Sequence, residues 1–256
     1  MLPADRLSAN TFDKTALQLA RSLGLGLEIV DYLLMDPEED ITEKRKSVSQ
    51  MMVGFSRLSF HGTAVGRDLV EINILSDDEL LAIYDESYEH ARFHGIDNIV
   101  FHSYYLASQE TPSVWVTKKA AFWKEYLRNK PASLRVYVEN FIDDTPELLA
   151  ELCDLVDDPR LRICLDVGHA GANSFIDLSE WIRLLGKRIG HVHLHNNDGL
   201  EDKHWPLGQG VLDMAAIIEA LLDKAGSPTL ALECDPKESL RWLVQNGLLT
   251  CPAGLS

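Results

Sequence analysis

Short apolar runs alternate along this chain with longer stretches in which apolar residues recur every three or four positions. The runs are 27-LEIV-30, 58-LSFH-61, 98-NIVFH-102, 134-LRVYVE-139, 162-RICLD-166, 191-HVHLH-195 and 229-TLALE-233. They are short and rich in Val, Ile and Leu, as strands buried on both faces of a parallel sheet are. A weaker first strand is expected near 6-RLSAN-10. Between the runs the period is helical. Over 76–93, Ser76 and Glu79 have capping-box spacing, and Leu80, Ile83, Tyr84, Tyr88 and Ala91 share one face. Thr145 and Pro146 read as an N-cap and a first-turn proline, before an apolar stripe of Leu148, Leu152, Leu155 and Val156. Asp213 opens a helix carrying Ile217, Ile218, Leu221 and Leu222, and 15–23, 116–129, 178–187 and 236–244 behave alike.

Strands alternating with helices imply parallel βαβ units. Eight such units in 256 residues predict an α/β fold of the (β/α)8 TIM-barrel type, with the whole of 1–256 as one domain. The rival is an open doubly wound sheet. No G-x-G-x-x-G or G-x-x-x-x-G-K-[ST] follows the early strands, which weakens it.

Charge narrows the partners. Lys plus Arg is 24 and Asp plus Glu is 40, a formal net charge of −16. Such a surface speaks against nucleic acid and anionic membranes. A small anionic substrate stays open, because a bound metal inverts the local field. No run approaches the length of a membrane span, and the N-terminus lacks the pattern of a signal peptide. Cys153, Cys164, Cys234 and Cys251 form no C-x-x-C pair, so reduced thiols and a cytoplasmic setting are expected.

The chemistry sits at the strand ends. His61, His102, Glu139, Asp166 and Glu233 close their runs; His193 lies within one; His169, Asp202 and His204 follow in loops. In a barrel all these ends open on one face, so residues far apart in sequence meet in one pocket. Imidazole mixed with carboxylate suits Zn²⁺ or Mn²⁺, and a divalent ion compensates carboxylates that are costly to bury alone. Taken singly, a strand-end His is a hydrogen-bonded structural residue and an Asp caps the next helix; the joint pattern is what implies one to three ions. His191, His193 and His195 alternate and so face one side, with His195 nearer the mouth as a substrate contact and His191 as buried structure. Glu28 sits early in its strand and reads as a salt bridge or substrate contact, while His90 and His94 are expected at the surface.

The runs 137-YVENF-141, 165-LDVGHA-170, 191-HVHLHNND-198, 202-DKHWPLGQG-210 and 231-ALE-233 resemble the xylose isomerase-like barrels, over about residues 16–240. That superfamily includes sugar-phosphate isomerases and epimerases and endonuclease IV. The resemblance implies one metal held by Glu139, Asp166, His193 and Glu233, as in the sugar epimerases, with His169 touching substrate. It also implies the larger endonuclease IV set, which adds His61, His102, His169, Asp202 and His204 and binds three zinc ions. Two departures stand out. The loops 62-GTAVGRD-68 and 103-SYYLASQE-110 are not basic, and 194-LHNNDGLEDK-203 lacks the arginine of ketose epimerases, leaving Lys203 as a substitute phosphate contact.

The first expectation is therefore a metal-dependent isomerase or epimerase of a small sugar or sugar phosphate, working through an enediolate with Glu139 and Glu233 as bases. The alternative is a phosphoester hydrolase with two or three zinc ions, DNA being disfavoured by the charge. A non-catalytic binder of a metal-chelated ligand is a third option. A homodimer is compatible with the sequence.

Overall fold

The computed structural model describes residues 1–33, 39–62, 75–105, 108 and 110–249. Cys251, most of the loop after His61 and part of the loop after His102 lie outside these residues. Eight strands follow one another around a closed parallel barrel. They are β1 (Leu7–Asn10), β2 (Gly26–Ile29), β3 (Leu58–His61), β4 (Asn98–His102), β5 (Arg135–Glu139), β6 (Leu161–Asp166), β7 (Ile189–Leu194) and β8 (Thr229–Leu232). Closure is made by β1 on β8, with Leu7 opposite Leu230 and Ala9 opposite Leu232.

The described α-helices are α1 (Leu17–Ser22), α2 (Ile41–Met52), α3 (Asp77–Phe93), α4 (Pro112–Arg128), α5 (Glu147–Val156), α6 (Val167–Asn173), α7 (Leu178–Leu185), α8 (Met214–Lys224) and α9 (Pro236–Gln245). Their starts are chemically marked. Ser76 accepts from the Glu79 amide while Glu79 reaches back to the Ser76 amide, the predicted capping box. Asp213 accepts from the Ala216 amide, and Asp235 from the Lys237 and Glu238 amides behind Pro236. The expected Thr145 cap lies one residue early, because α5 begins at Glu147 with Pro146 in the cap position.

The large apolar core fills the layer between sheet and helices, where Trp115, Trp181, Phe60 and Phe101 are fully buried. Inside the barrel the apolar cluster is small: Val100, Tyr137 and Cys164. The rest of the lumen is polar. Register carries this: His102 pairs with Glu139, and Asp166 with His193, so these side chains share the inner face.

Two histidines expected at the surface are not there. His90 is buried and stacks on Tyr32 at 4.7 Å. His94 is half-buried, within 2.8 Å of the Tyr32 hydroxyl. α3 packs that face against α2 and the segment after β2, and α2 is a helix the sequence reading did not predict. Cys153, Cys164 and Cys234 are free thiols. Among the described residues no helix is long and apolar enough to cross a membrane.

Candidate metal centre

Glu139, Asp166, His193 and Glu233 come from the ends of β5 to β8, and each offers a ligand atom within 4.8 Å of the others. His193 Nδ1 lies 3.0 Å from Glu139 Oε1, 3.4 Å from Glu233 Oε1 and 3.7 Å from Asp166 Oδ2. All four residues are buried. The second oxygen of Glu139 faces elsewhere. Its Oε2 is 3.2 Å from His61 Nε2 and 3.4 Å from His102 Nε2, at the ends of β3 and β4. One carboxylate therefore spans two groups of donors.

A third group gathers at the β6 and β7 ends. His169 Nε2 lies 3.2 Å and His204 Nε2 3.0 Å from Asp202 Oδ2, and His195 joins them. α6 supplies His169 through its own capping: Asp166 accepts the His169 amide at 2.6 Å. The cap and the ligand reading of Asp166 thus hold together, one oxygen serving the helix. The loop of Asp202 is tied down by Asn196 pairing with Trp205 on the main chain. His204 itself adopts a left-handed backbone, φ 47°.

The donor set fits divalent ions. Several carboxylates are buried together, and Glu139 Oε2 and His195 Nδ1 are buried without a hydrogen-bond partner. Both atoms point into the donor groups, as ligands awaiting a cation do. Mixed imidazole and carboxylate matches zinc or manganese.

A family model for the xylose isomerase-like TIM barrel matches residues 17–245. The chain belongs to this family. An uncharacterized protein of Methanocaldococcus jannaschii is 32% identical over 90 residues, 35% of this chain, and the chain spans only 31% of that relative's length. A solved protein of Thermus thermophilus, soaked with zinc chloride, is 28% identical with a TM-score of 0.68, covering 95% of this chain and 97% of that one. A D-tagatose 3-epimerase-like protein shares the fold at 15% identity and a TM-score of 0.72, covering 95% and 96%.

In this xylose isomerase-like barrel the electrostatics follow from burial and crowding. Burial opposes ionisation of Glu139, but His193 and His102 outweigh it and hold the carboxyl well below its usual range. Burial likewise opposes the charge on His169 and His193, yet the facing acids raise both well above the ordinary imidazole value. Burial takes His102 down to about 3, against the pull of Glu139. His204 rises to about 9 because Asp202 and Glu233 overcome its burial.

The remaining candidates separate. Glu28 lies beneath the centre: its Oε2 accepts from Ser59 at 2.7 Å and sits 2.9 Å from His191 Nε2, while its Oε1 is 3.0 Å from His193 Nε2. His191 is buried between Glu28 and Thr229. Lys203 turns away from the donors and pairs with Glu201. The sequence reading missed the residues that hold the ligands. Asn140 brackets Asp166, donating to its carbonyl and accepting its amide, and its own carbonyl accepts His169 Nδ1–H. Asn197 donates to the Gly168 carbonyl. An amide side chain in an apolar run at a strand end was the available signal.

Proposed function

We propose that this chain is a polynuclear divalent-metal hydrolase acting on the phosphoester of a small molecule. The observation behind this reading is the double engagement of Glu139, with Oε1 toward His193 and Oε2 toward His61 and His102. A base that takes a proton from substrate carbon needs an oxygen open to the substrate, and both oxygens here are enclosed by imidazoles. A carboxylate so placed suits bridging between ions.

Divalent ions held by His61, His102, Glu139, Asp166, His193 and Glu233 would supply Lewis acidity, polarising a phosphoryl oxygen and acidifying water. The chain does the positioning. Asp166 is fixed by Asn140 and by the His169 amide, and His193 is held between Glu28 and Glu139. Beside Glu233 and His204 opens a cleft of about 500 Å³, also lined by Asn10, Phe12, Asp13 and Asp235. Its acidic wall suits the uncharged part of a small phosphoester and repels a polyanion such as DNA.

The second reading is a metal-dependent isomerase or epimerase of a small sugar or sugar phosphate. It is favoured by Glu139 and Glu233 meeting at one group with Asp166 and His193, and the solved tagatose epimerase-like protein shares this fold. Metal analysis of protein purified without added ions, followed by a panel of small phosphoesters, ketoses and aldoses, separates the two. Two or three ions and phosphate release are expected. One ion with sugar interconversion would sink the hydrolase and leave the isomerase.

A further inference from the structure

The lumen of an eight-stranded barrel is ordinarily packed in layers of bulky branched side chains. At the end opposite the metal centre this one is not. Ser8, Ser59, Asn98 and Thr229, at the starts of β1, β3, β4 and β8, line a cavity of about 380 Å³. Gly26 on β2 makes room for the Ser8 hydroxyl, which a Cβ there would meet at 2.4 Å. His191 and Ser59 line the cavity's inner end, and both are bonded to Glu28. A buried polar layer therefore divides this cavity from the donors at the mouth.

The charge here runs against that of the chain. Arg6 and Arg57 line the cavity, with Asp97 as its one carboxylate among the described residues, although the whole molecule carries −16. Arg57 is anchored through Nη2, which donates to the Gly24 carbonyl at 2.8 Å and the Ala4 carbonyl at 3.2 Å. Its Nε and Nη1 have no partner among the described residues. Arg6 is half-buried, and its guanidinium has no hydrogen bond or ion pair among the described residues. The Ser8 hydroxyl, on a residue only 8% exposed, is likewise without a partner there. Donors are thus gathered in a half-enclosed space with nothing from the protein to accept from them.

We infer that this cavity is a second ligand site, which takes a small oxyanion, phosphate or carboxylate, with Arg6 as its anchor. The planar guanidinium fork matches two oxygens of such a group, and Arg57 and Ser8 supply further donors. The site lies across the Glu28 and His191 layer from the mouth, so it stands whether or not the hydrolase reading holds.

The test titrates inorganic phosphate, and separately acetate, into the full chain by calorimetry, in the wild type, Arg6→Gln, Arg6→Lys, Ser8→Ala and Glu139→Gln, with circular dichroism confirming that each folds. At least one of the two anions should bind the wild type, and Arg6→Gln should weaken that binding by about 10–100-fold. Arg6→Lys should weaken it less, because it keeps the charge but loses the fork. Ser8→Ala should weaken it several-fold and carries the same test if Arg6→Gln does not fold. Glu139→Gln, which alters only the mouth, should leave it in place. The anion bound more tightly names the oxyanion. Binding that ignores Arg6 and Ser8, or that is lost with Glu139→Gln alone, places the anion elsewhere and overturns the inference, as does a wild type that binds neither anion.

Discussion

At the scale of single residues, the centre depends on groups whose roles can be separated by substitution. Glu139→Gln keeps the size of the side chain but weakens a ligand shared by two donor groups. Metal analysis should show the loss of more than one ion per chain, whereas loss of one ion or none would remove the bridging role. Gly168→Ala tests the space beneath His195. Its Cβ would meet the ring at 1.9 Å, so overpacking should cost about 1–3 kcal/mol in urea unfolding. Asp143 offers a pH signature. Burial pushes it up to about 6, against the hydrogen bonds from Ser103 and the Phe141 amide. Its folded value lies above the unfolded value of about 4, so the native state holds the proton more tightly and stability falls as pH rises from about 4 through 6. Asp143→Asn lacks that slope. Stability measured at pH 5 and pH 7 should shift in the variant's favour by about 1 kcal/mol, and an unchanged gap would show that Asp143 is ionised throughout.

At the scale of elements, strands were more legible than helices. Each β-run alternates onto an apolar outer face of Val, Ile, Leu or Phe, and this short apolar pattern sets it apart; β3 and β4 span the runs 58–61 and 98–102. α2 escaped because its segment is mostly polar, with Val48 and Met51 its buried residues. α6 escaped because it starts at once from β6, with Asp166 serving as both strand end and cap. His90 shows the same limit: helical spacing assigns a face but does not say which neighbouring helix will cover it. Residue types at strand ends pointed to the site, and the structure does gather those side chains. The orienting asparagines were not legible, since their value lies in hydrogen bonds formed only after folding. The caps make a clean test at this scale. Ser76→Ala should lower stability by about 1 kcal/mol, seen as a lower urea midpoint at unchanged slope, with metal stoichiometry intact.

At the scale of the whole molecule, closure of the barrel and assembly of the centre are one event. A metal that binds only the folded state stabilises it by mass action. Stripping with a chelator should therefore lower the melting temperature, and added Zn²⁺ or Mn²⁺ should restore it in a concentration-dependent way; an unchanged melting temperature would mean that no ion is held tightly. The net charge of −16 also bears on substrate encounter. A net negative charge slows capture of anions, so added salt should raise, not lower, the association rate of a phosphoester. The donors run from His61 on β3 to Glu233 just past β8, and β8 is the strand that seals against β1. An ion cannot nucleate this chain from a short local loop, as it does in a zinc finger. A nascent polypeptide still lacking β8 has only a partial cage, so on the proposed reading an ion is held firmly only once that strand is in place, and firm metal retention becomes a certificate that the ring has shut.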